Sequence, residues 1–175
     1  EFNVIKLTKK ERFFKQNIKF DYLHWLGCSQ EFDAKETLLR LEQNKIYNAS
    51  HIFIDHYALD ITWETIIKKE NNLNPNFQKN NFKIVVIDDL FNRKHICDIL
   101  IDQTFTSFKP IDNYSDLTPS RCIKLLGPTY SIIDESYKKF KNKIRERESI
   151  NRIIIYFGAN DTHNLTLKTL KILYK

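Results

Sequence analysis

Asp55-His56-Tyr57 sets a carboxylate, an imidazole and a phenol in succession at the end of the apolar stretch Ser50 to Asp55. Such a group of side chains can move protons or bind a polar ligand. The competing reading is structural: Asp55 caps the next turn and His56 or Tyr57 packs. Asp88-Asp89 follows the apolar run Phe82 to Ile87 in the same manner. Paired carboxylates can hold a metal or hydrogen-bond a sugar, and they also cap loops and helices. Gly127-Pro128-Thr129-Tyr130 reads as a turn. Gly158-Ala159-Asn160-Asp161 lies between the apolar Ile153 to Phe157 and a helical pattern. A small loop at a helix N-terminus can cradle an anion on its backbone N–H groups. This one lacks the Gly-x-Gly-x-x-Gly and P-loop lysine patterns, and Asp161 serves equally well as an N-cap.

Other chemistries find less support. His24, His51, His95 and His163 are isolated, with no pair at the spacing of metal ligands on a helix, so no metal is expected. No Gly-x-Ser-x-Gly elbow marks a serine nucleophile. Cys28, Cys97 and Cys122 are too few and too scattered for a disulfide framework or a zinc site, and read as reduced core thiols of a cytoplasmic protein. The 28 basic and 22 acidic residues leave a net charge of +6, with the two signs interspersed. Nucleic acid is therefore not an expected partner. Lys138 to Arg147 reads as a solvated helix face. The hydrophobic share of 42% argues against disorder. No apolar run approaches the roughly 18 residues of a membrane span, so no membrane partner is expected. No signal-peptide pattern opens the sequence.

The elements that must position these residues alternate along the chain. Strands are expected at Phe2 to Leu7, Ile18 to Leu23, Ser50 to Asp55, Phe82 to Ile87, Asp98 to Asp102, Ile123 to Leu126 and Ile153 to Phe157. Phe82 to Ile87 is almost continuously apolar, as in a strand covered on both faces. Helical patterns cover Lys9 to Gln16, the stretch after Asp33, the segment carrying Trp63, Ile66 and Ile67, Glu135 to Glu148, and the segment of Leu165 to Leu173. Asp33, with Glu36 three residues on, has the spacing of a capping box. Asn71 to Asn81, with Pro75, reads as a loop. Alternating strands and helices predict an α/β fold, a parallel sheet with helices on both faces. The charge-rich Lys141 to Ser149 places a domain boundary between residues 1–148 and 149–175. The second piece is a strand-loop-helix that cannot bury its own faces. Met is absent, position 1 included, which predicts an internal stretch of a longer chain.

Several stretches, in this order, resemble one family. Ile54-Asp55-His56-Tyr57-Ala58-Leu59-Asp60 followed by Trp63-Glu64 is similar to the I-D-H-Y-G-L-D…W-E of the UDP-2,4-diacetamido-2,4,6-trideoxy-β-L-altropyranose hydrolases of pseudaminic acid biosynthesis. Ile87 to Leu90, Asn92-Arg93 and Cys97 to Gln103 look like that family's I-D-D-L…R…C-D-L-L-L-D-Q. Leu125 to Tyr130 looks like its L-L-G-P-x-Y. Phe157 to Asp161 with Asn164-Leu165-Thr166 resembles its F-G-G-S-D…N-L-T. The resemblance covers roughly residues 20 to 170.

It implies a glycosyltransferase-B-type fold of two Rossmann-like domains. Residues 1–148 would be the first, lacking its first strand-loop-helix, and 149–175 the first strand-loop-helix of the UDP-binding second. A missing first unit would leave a sheet edge open to self-association with another chain. The implied activity is hydrolysis of the anomeric C–O bond of the UDP-sugar, without cofactor or metal, giving UDP and the free sugar. Tyr57 matches an active-site tyrosine of the family, with His56 and Asp55 beside it as catalytic candidates. Gly158, Asn160, Asp161, Asp88 and Asp89 become candidates for substrate binding. The family's catalytic histidine lies in a Gly-x-Gly-His loop; this sequence contains none, and none of its five histidines takes that role. Gly158-Ala159-Asn160-Asp161 departs from Gly-Gly-Ser/Thr-Asp, and Asp134 stands where the family has Arg. A glycosyltransferase of the same fold and an inactive remnant are the alternatives.

Overall fold

Among the described residues, four short runs rich in aliphatic side chains form strands. They are β1 (His51–Ile54), β2 (Lys83–Ile87), β3 (Ile99–Asp102) and β4 (Ile123–Leu126), all parallel and side by side in the order β1-β2-β3-β4. The computed structural model describes residues 3–7, 22–78, 82–105, 112–143, 148–158 and 160–174. They fall into two compact units, Glu1–Ile132 and Ile133–Lys175.

In the first unit, register decides what meets the core. Ile54 lies opposite Val86, and Val86 opposite Leu100. Parallel partners share a face, so these residues project to one side of the sheet. Helices α2 (Gln30–Gln43) and α3 (Ile61–Leu73) deliver Ala34, Leu38, Trp63 and Ile67 to the same cluster. Phe53 and Ile123, of the other parity on the two edge strands, stay 64% and 58% exposed. The expected parallel α/β sheet is present. The expected helices on both faces are met on one face among the described residues.

Local chemistry sets where the helices begin. Ser29 holds an extended backbone and its hydroxyl accepts from Phe32 N at 3.2 Å, so α2 starts at Gln30. This corrects the expectation that Asp33 is the N-cap. Asp33 lies within the first turn, and its carboxylate instead accepts from Trp63 Nε1 at 2.8 Å. The start of α3 is held twice. Asp60 Oδ1 accepts from Thr62 N at 2.7 Å, and Gln30 Oε1 accepts from Asp60 N at 3.0 Å and Trp63 N at 3.3 Å. A short α1 (Leu23–Leu26) ends on Gly27 in the left-handed region, φ +71°, where a side chain would be strained.

The core encloses a charged residue. Glu64 is fully buried on α3. Its Oε1 lies 2.5 Å from Nδ1 of buried His95, and its Oε2 accepts from Ile96 N at 2.5 Å. Both oxygens are therefore matched, which offsets the cost of burying a carboxylate. The pair ties α3 to the loop between β2 and β3.

Other expectations fare differently. Residues 3–7 form no strand, although Phe2 to Leu7 alternates. Lys9 to Gln16 and most of Ile18 to Leu23 lie outside the described residues, and Leu23 opens α1. The expected loop at Asn71 to Asn81 is helical over most of its length. α3 continues to Leu73, and α4 (Pro75–Gln78) follows, with Asn74 Oδ1 accepting from Asn76 N at 2.9 Å. Proline suits the first position of a helix, where its missing N–H costs nothing.

Among its described residues, the second unit has no buried hydrophobic core. Glu135–Lys143 winds as a 3-10 helix in place of the expected α-helix to Glu148, and residues 144–147 are outside the described set. Ile153 to Phe157 pairs with no strand among the described residues. Helix α5 (Leu165–Leu173) forms as the periodicity predicts, with no buried residue. Ile154 and Ile172 are 87% and 72% exposed. The reason is physical: one apolar segment and one helix cannot cover each other's faces.

A candidate polar site at the carboxyl ends of β1 and β2

Ligands of parallel α/β sheets bind beyond the carboxyl ends of the strands. Here that end holds a cavity of about 170 Å³, lined among others by Tyr22, Gln30, Tyr57, Asp60, Asn92 and Arg93. Tyr57 and Asp60 come from the loop after β1, Asn92 and Arg93 from the loop after β2. Ligand pockets for drug-sized molecules run to roughly 300–1,000 Å³, so this cavity suits one sugar-sized ring rather than a whole nucleotide sugar.

Arg93 joins the two loops. Its Nε donates to Leu59 O at 2.9 Å and its Nη1 to Asn92 Oδ1 at 3.2 Å. Nη1 also lies 2.6 Å from Asp88 Oδ1, close enough for an ion pair but not aligned as a hydrogen bond. Asp88 is buried, and its Oδ2 accepts from Leu90 N and Phe91 N at 3.3 and 3.2 Å. Tyr114 completes the arrangement, its hydroxyl 2.8 Å from Asp88 O, 3.0 Å from Asp88 Oδ2 and 3.5 Å from Asp102 Oδ2. Burial and the charges of Asp88 and Asp102 hold the Tyr114 phenol protonated far above the ordinary range. Asp88 is thus occupied in shaping the loop.

Tyr57 is the reactive-looking group that does line the cavity. Hydrogen bonding to Asp89, then burial, then the charges of Asp89 and Asp88 push its phenol up to about 12. At neutral pH it is a neutral hydrogen-bonding group and not a base. Its ring stands in an aromatic cluster, with centroids 5.1 Å from Tyr22 and 6.0 Å from Trp25. Trp25 is 57% exposed. Aromatic faces of this kind suit the apolar side of a sugar ring or its methyl groups.

The neighbours of Tyr57 are placed otherwise. His56 Nδ1 accepts from Ala58 N at 3.0 Å, which puts the proton of the neutral ring on Nε2. His56 O accepts from Leu59 N at 3.1 Å, so the residue builds its own turn. Asp55 continues the outward parity of Phe53 and is exposed; it does not line the cavity. Asp89 Oδ1 is buried with no hydrogen-bond partner. Of the three consecutive candidates, only Tyr57 reaches the cavity. Tyr22 and Gln30 enter it without having been singled out from sequence, and Asp60, Asn92 and Arg93 were quoted only within the family-like stretches. The Asp60 signal was readable, an Asp directly before a helical pattern; that of Gln30 was not.

Gly158, Asn160 and Asp161 belong to the second unit. Gly158 has φ +80° and open space around it. Asn160 is exposed. The Asp161 carboxylate accepts from Leu165 N at 2.8 Å and Thr166 N at 3.0 Å, at the start of α5. A hydrogen bond from the Thr166 side chain is the largest cause holding Asp161 below the usual carboxylate range, and the Thr166 and Leu165 amides add to it. Asn164 precedes the helix in the left-handed region, φ 51°. The N-cap position is therefore Asn164 and not Asp161 as expected, although the Asp161 carboxylate takes up the first amides of α5 from three residues earlier.

Among the described residues, no group of three or more His, Cys, Asp or Glu could hold a metal ion, and no helix is long and apolar enough to cross a membrane. No family model matches the chain, and no curated protein matches it.

Proposed function

We propose that this chain is part of a UDP-sugar hydrolase that cleaves the anomeric C–O bond of a UDP-linked 2,4-diacetamido-2,4,6-trideoxy hexose. One observation carries the reading. The two stretches that most resemble the family's motifs, 54–60 and 87–93, meet at one cavity through Tyr57, Asp60, Asn92 and Arg93. In this reading the sugar ring occupies the cavity, its deoxy and acetamido methyl groups against the Tyr22 and Tyr57 rings, on which Trp25 packs. Tyr57 is protonated and positions sugar or water. Water attacks C1, the C1–O bond breaks and UDP departs. The proton must pass to another group, since the Tyr57 phenol is neutral. In the family this is the histidine of the Gly-x-Gly-His loop, which has no match among these 175 residues.

The chain is therefore expected to bind without turnover. Titration with the UDP-linked diacetamido-trideoxy sugar should change the tryptophan fluorescence through Trp25, while UDP release stays at the buffer level. Tyr57→Phe should weaken binding by about tenfold, the equivalent of one hydrogen bond. Absence of binding at millimolar ligand would overturn the proposal. Transfer of the sugar to an acceptor glycan would put a glycosyltransferase in its place.

A further inference from the structure

Cys97 and Cys122 are distant in sequence and adjacent in space. Cys97 precedes β3 and Cys122 precedes β4, with their Sγ atoms 3.6 Å apart. Ile123 N donates to Asp98 O at 2.9 Å, so the sheet ladder itself holds the two cysteines together. Cys97 is fully buried and Cys122 is 7% exposed, directly before the edge strand β4 and flanked by exposed Arg121 and Ile123. Cys28, before α2, takes no part in this contact. The sulfur atoms are in van der Waals contact, and a disulfide of about 2.05 Å would need them to close by roughly 1.5 Å.

We propose that Cys97 and Cys122 form a dithiol oxidation site, converted by hydrogen peroxide into a disulfide that joins the starts of β3 and β4. Cys122 is the attacking thiol, being the one nearer solvent. Its ionised Sγ attacks one peroxide oxygen and the O–O bond breaks. The departing hydroxide takes up the proton released by Cys122 and leaves as water, with Cys122 now a sulfenic acid. The Cys97 sulfur then attacks Cys122 Sγ, the S–O bond breaks, and the hydroxyl leaves with the Cys97 proton as a second water. Two thiols are oxidised and one peroxide is reduced to two waters. The ordering has electrostatic support. The neighbouring Cys97 thiol, and then Lys124 and Thr118, outweigh burial in lowering Cys122. The contact with Cys122 and burial raise Cys97, which stays protonated until the second step. The site lies at the amino ends of the strands, whereas the Tyr57 cavity lies beyond the carboxyl ends. Oxidation therefore fastens the edge strand without touching the cavity.

The test treats the native chain with hydrogen peroxide, removes the excess with catalase, then alkylates free thiols in denaturant and maps the peptides. The expected result is a single disulfide-linked pair carrying Cys97 and Cys122, with alkylatable cysteines falling from three to one. The remaining thiol is Cys28, and dithiothreitol restores all three. Cys28→Ser should give the same linked pair, and Cys97→Ser should stop at a Cys122 sulfenic acid trapped by dimedone. Retention of all three thiols by the native chain overturns the proposal. So does a disulfide that includes Cys28, or oxidation of Cys122 to the sulfinic acid with Cys97 still free.

Discussion

Helices α3 and α5 look alike in sequence and differ in fate. Each follows an apolar segment and a turn, and each carries isoleucine or leucine at helical spacing. In α3, Trp63, Glu64 and Ile67 are buried, and the helix start is held by Asp60 and Gln30. In α5 no residue is buried, although the Asp161 carboxylate takes up its first amides. A helix and its cap are local properties. Burial depends on partners distant in sequence, which α3 finds in β1, β2 and α2. The difference teaches that apolarity records a need for a partner, and that the need is met only where the topology supplies one.

Substitutions sharpen this contrast. Trp63→Ala removes a buried indole and its bond to Asp33, and should cost about 3–5 kcal/mol in urea unfolding. Leu170→Ala on α5 should stay within about 0.5 kcal/mol, as for a surface change. Equal losses at the two sites would break the comparison. Glu64→Gln comes next. It keeps the shape but removes the charge that both His95 and Ile96 N meet, and an expected loss of about 1–3 kcal/mol can be read from the same curves.

The smallest effect is electrostatic. Burial raises Asp98, but the Ile84 amide bond and the Lys68 and Lys83 charges outweigh it and leave its carboxyl below the usual value. The unfolded chain then binds the proton more readily than the folded one. This contribution is complete above the ordinary carboxylate range and is lost as pH falls through the lowered folded value. Lys68→Met, which removes a contact of 3.3 Å, should flatten that part of the pH–stability curve. An unchanged slope would mean that the Ile84 amide bond and Lys83 hold Asp98 without Lys68.

Much of the sheet was legible in the sequence. Ile123 to Leu126 matches β4 residue for residue, β2 and β3 start one residue later than expected, and β1 is one residue shorter at each end. Short aliphatic runs between turns carry that information locally. Ile153 to Phe157 is more apolar than any of them and forms no strand, because strand formation needs a neighbour that no local pattern reports. In the site, Tyr57 was legible as one of three consecutive polar residues. The strand parity also held the signal that Asp55 points away, since Ile52 and Ile54 face the core. Gln30 was beyond reach, because its role depends on meeting Asp60 and Trp63 thirty or more positions later. Asp33 has capping-box spacing with Glu36 but lies in the first turn of α2, because Ser29 takes the Phe32 amide and the Asp33 carboxylate accepts from Trp63 Nε1, thirty positions on.

The strand order has a consequence for how the chain is made. The ribosome releases β1, β2, β3 and β4 in the order in which they stand side by side. Each can dock on the strand synthesised just before it, and none must be threaded between two already paired. The order thus allows the sheet to grow from one side, in step with translation. Cys122 is the last of the three cysteines to emerge, so the nascent chain carries Cys97 without its oxidation partner until the final strand arrives.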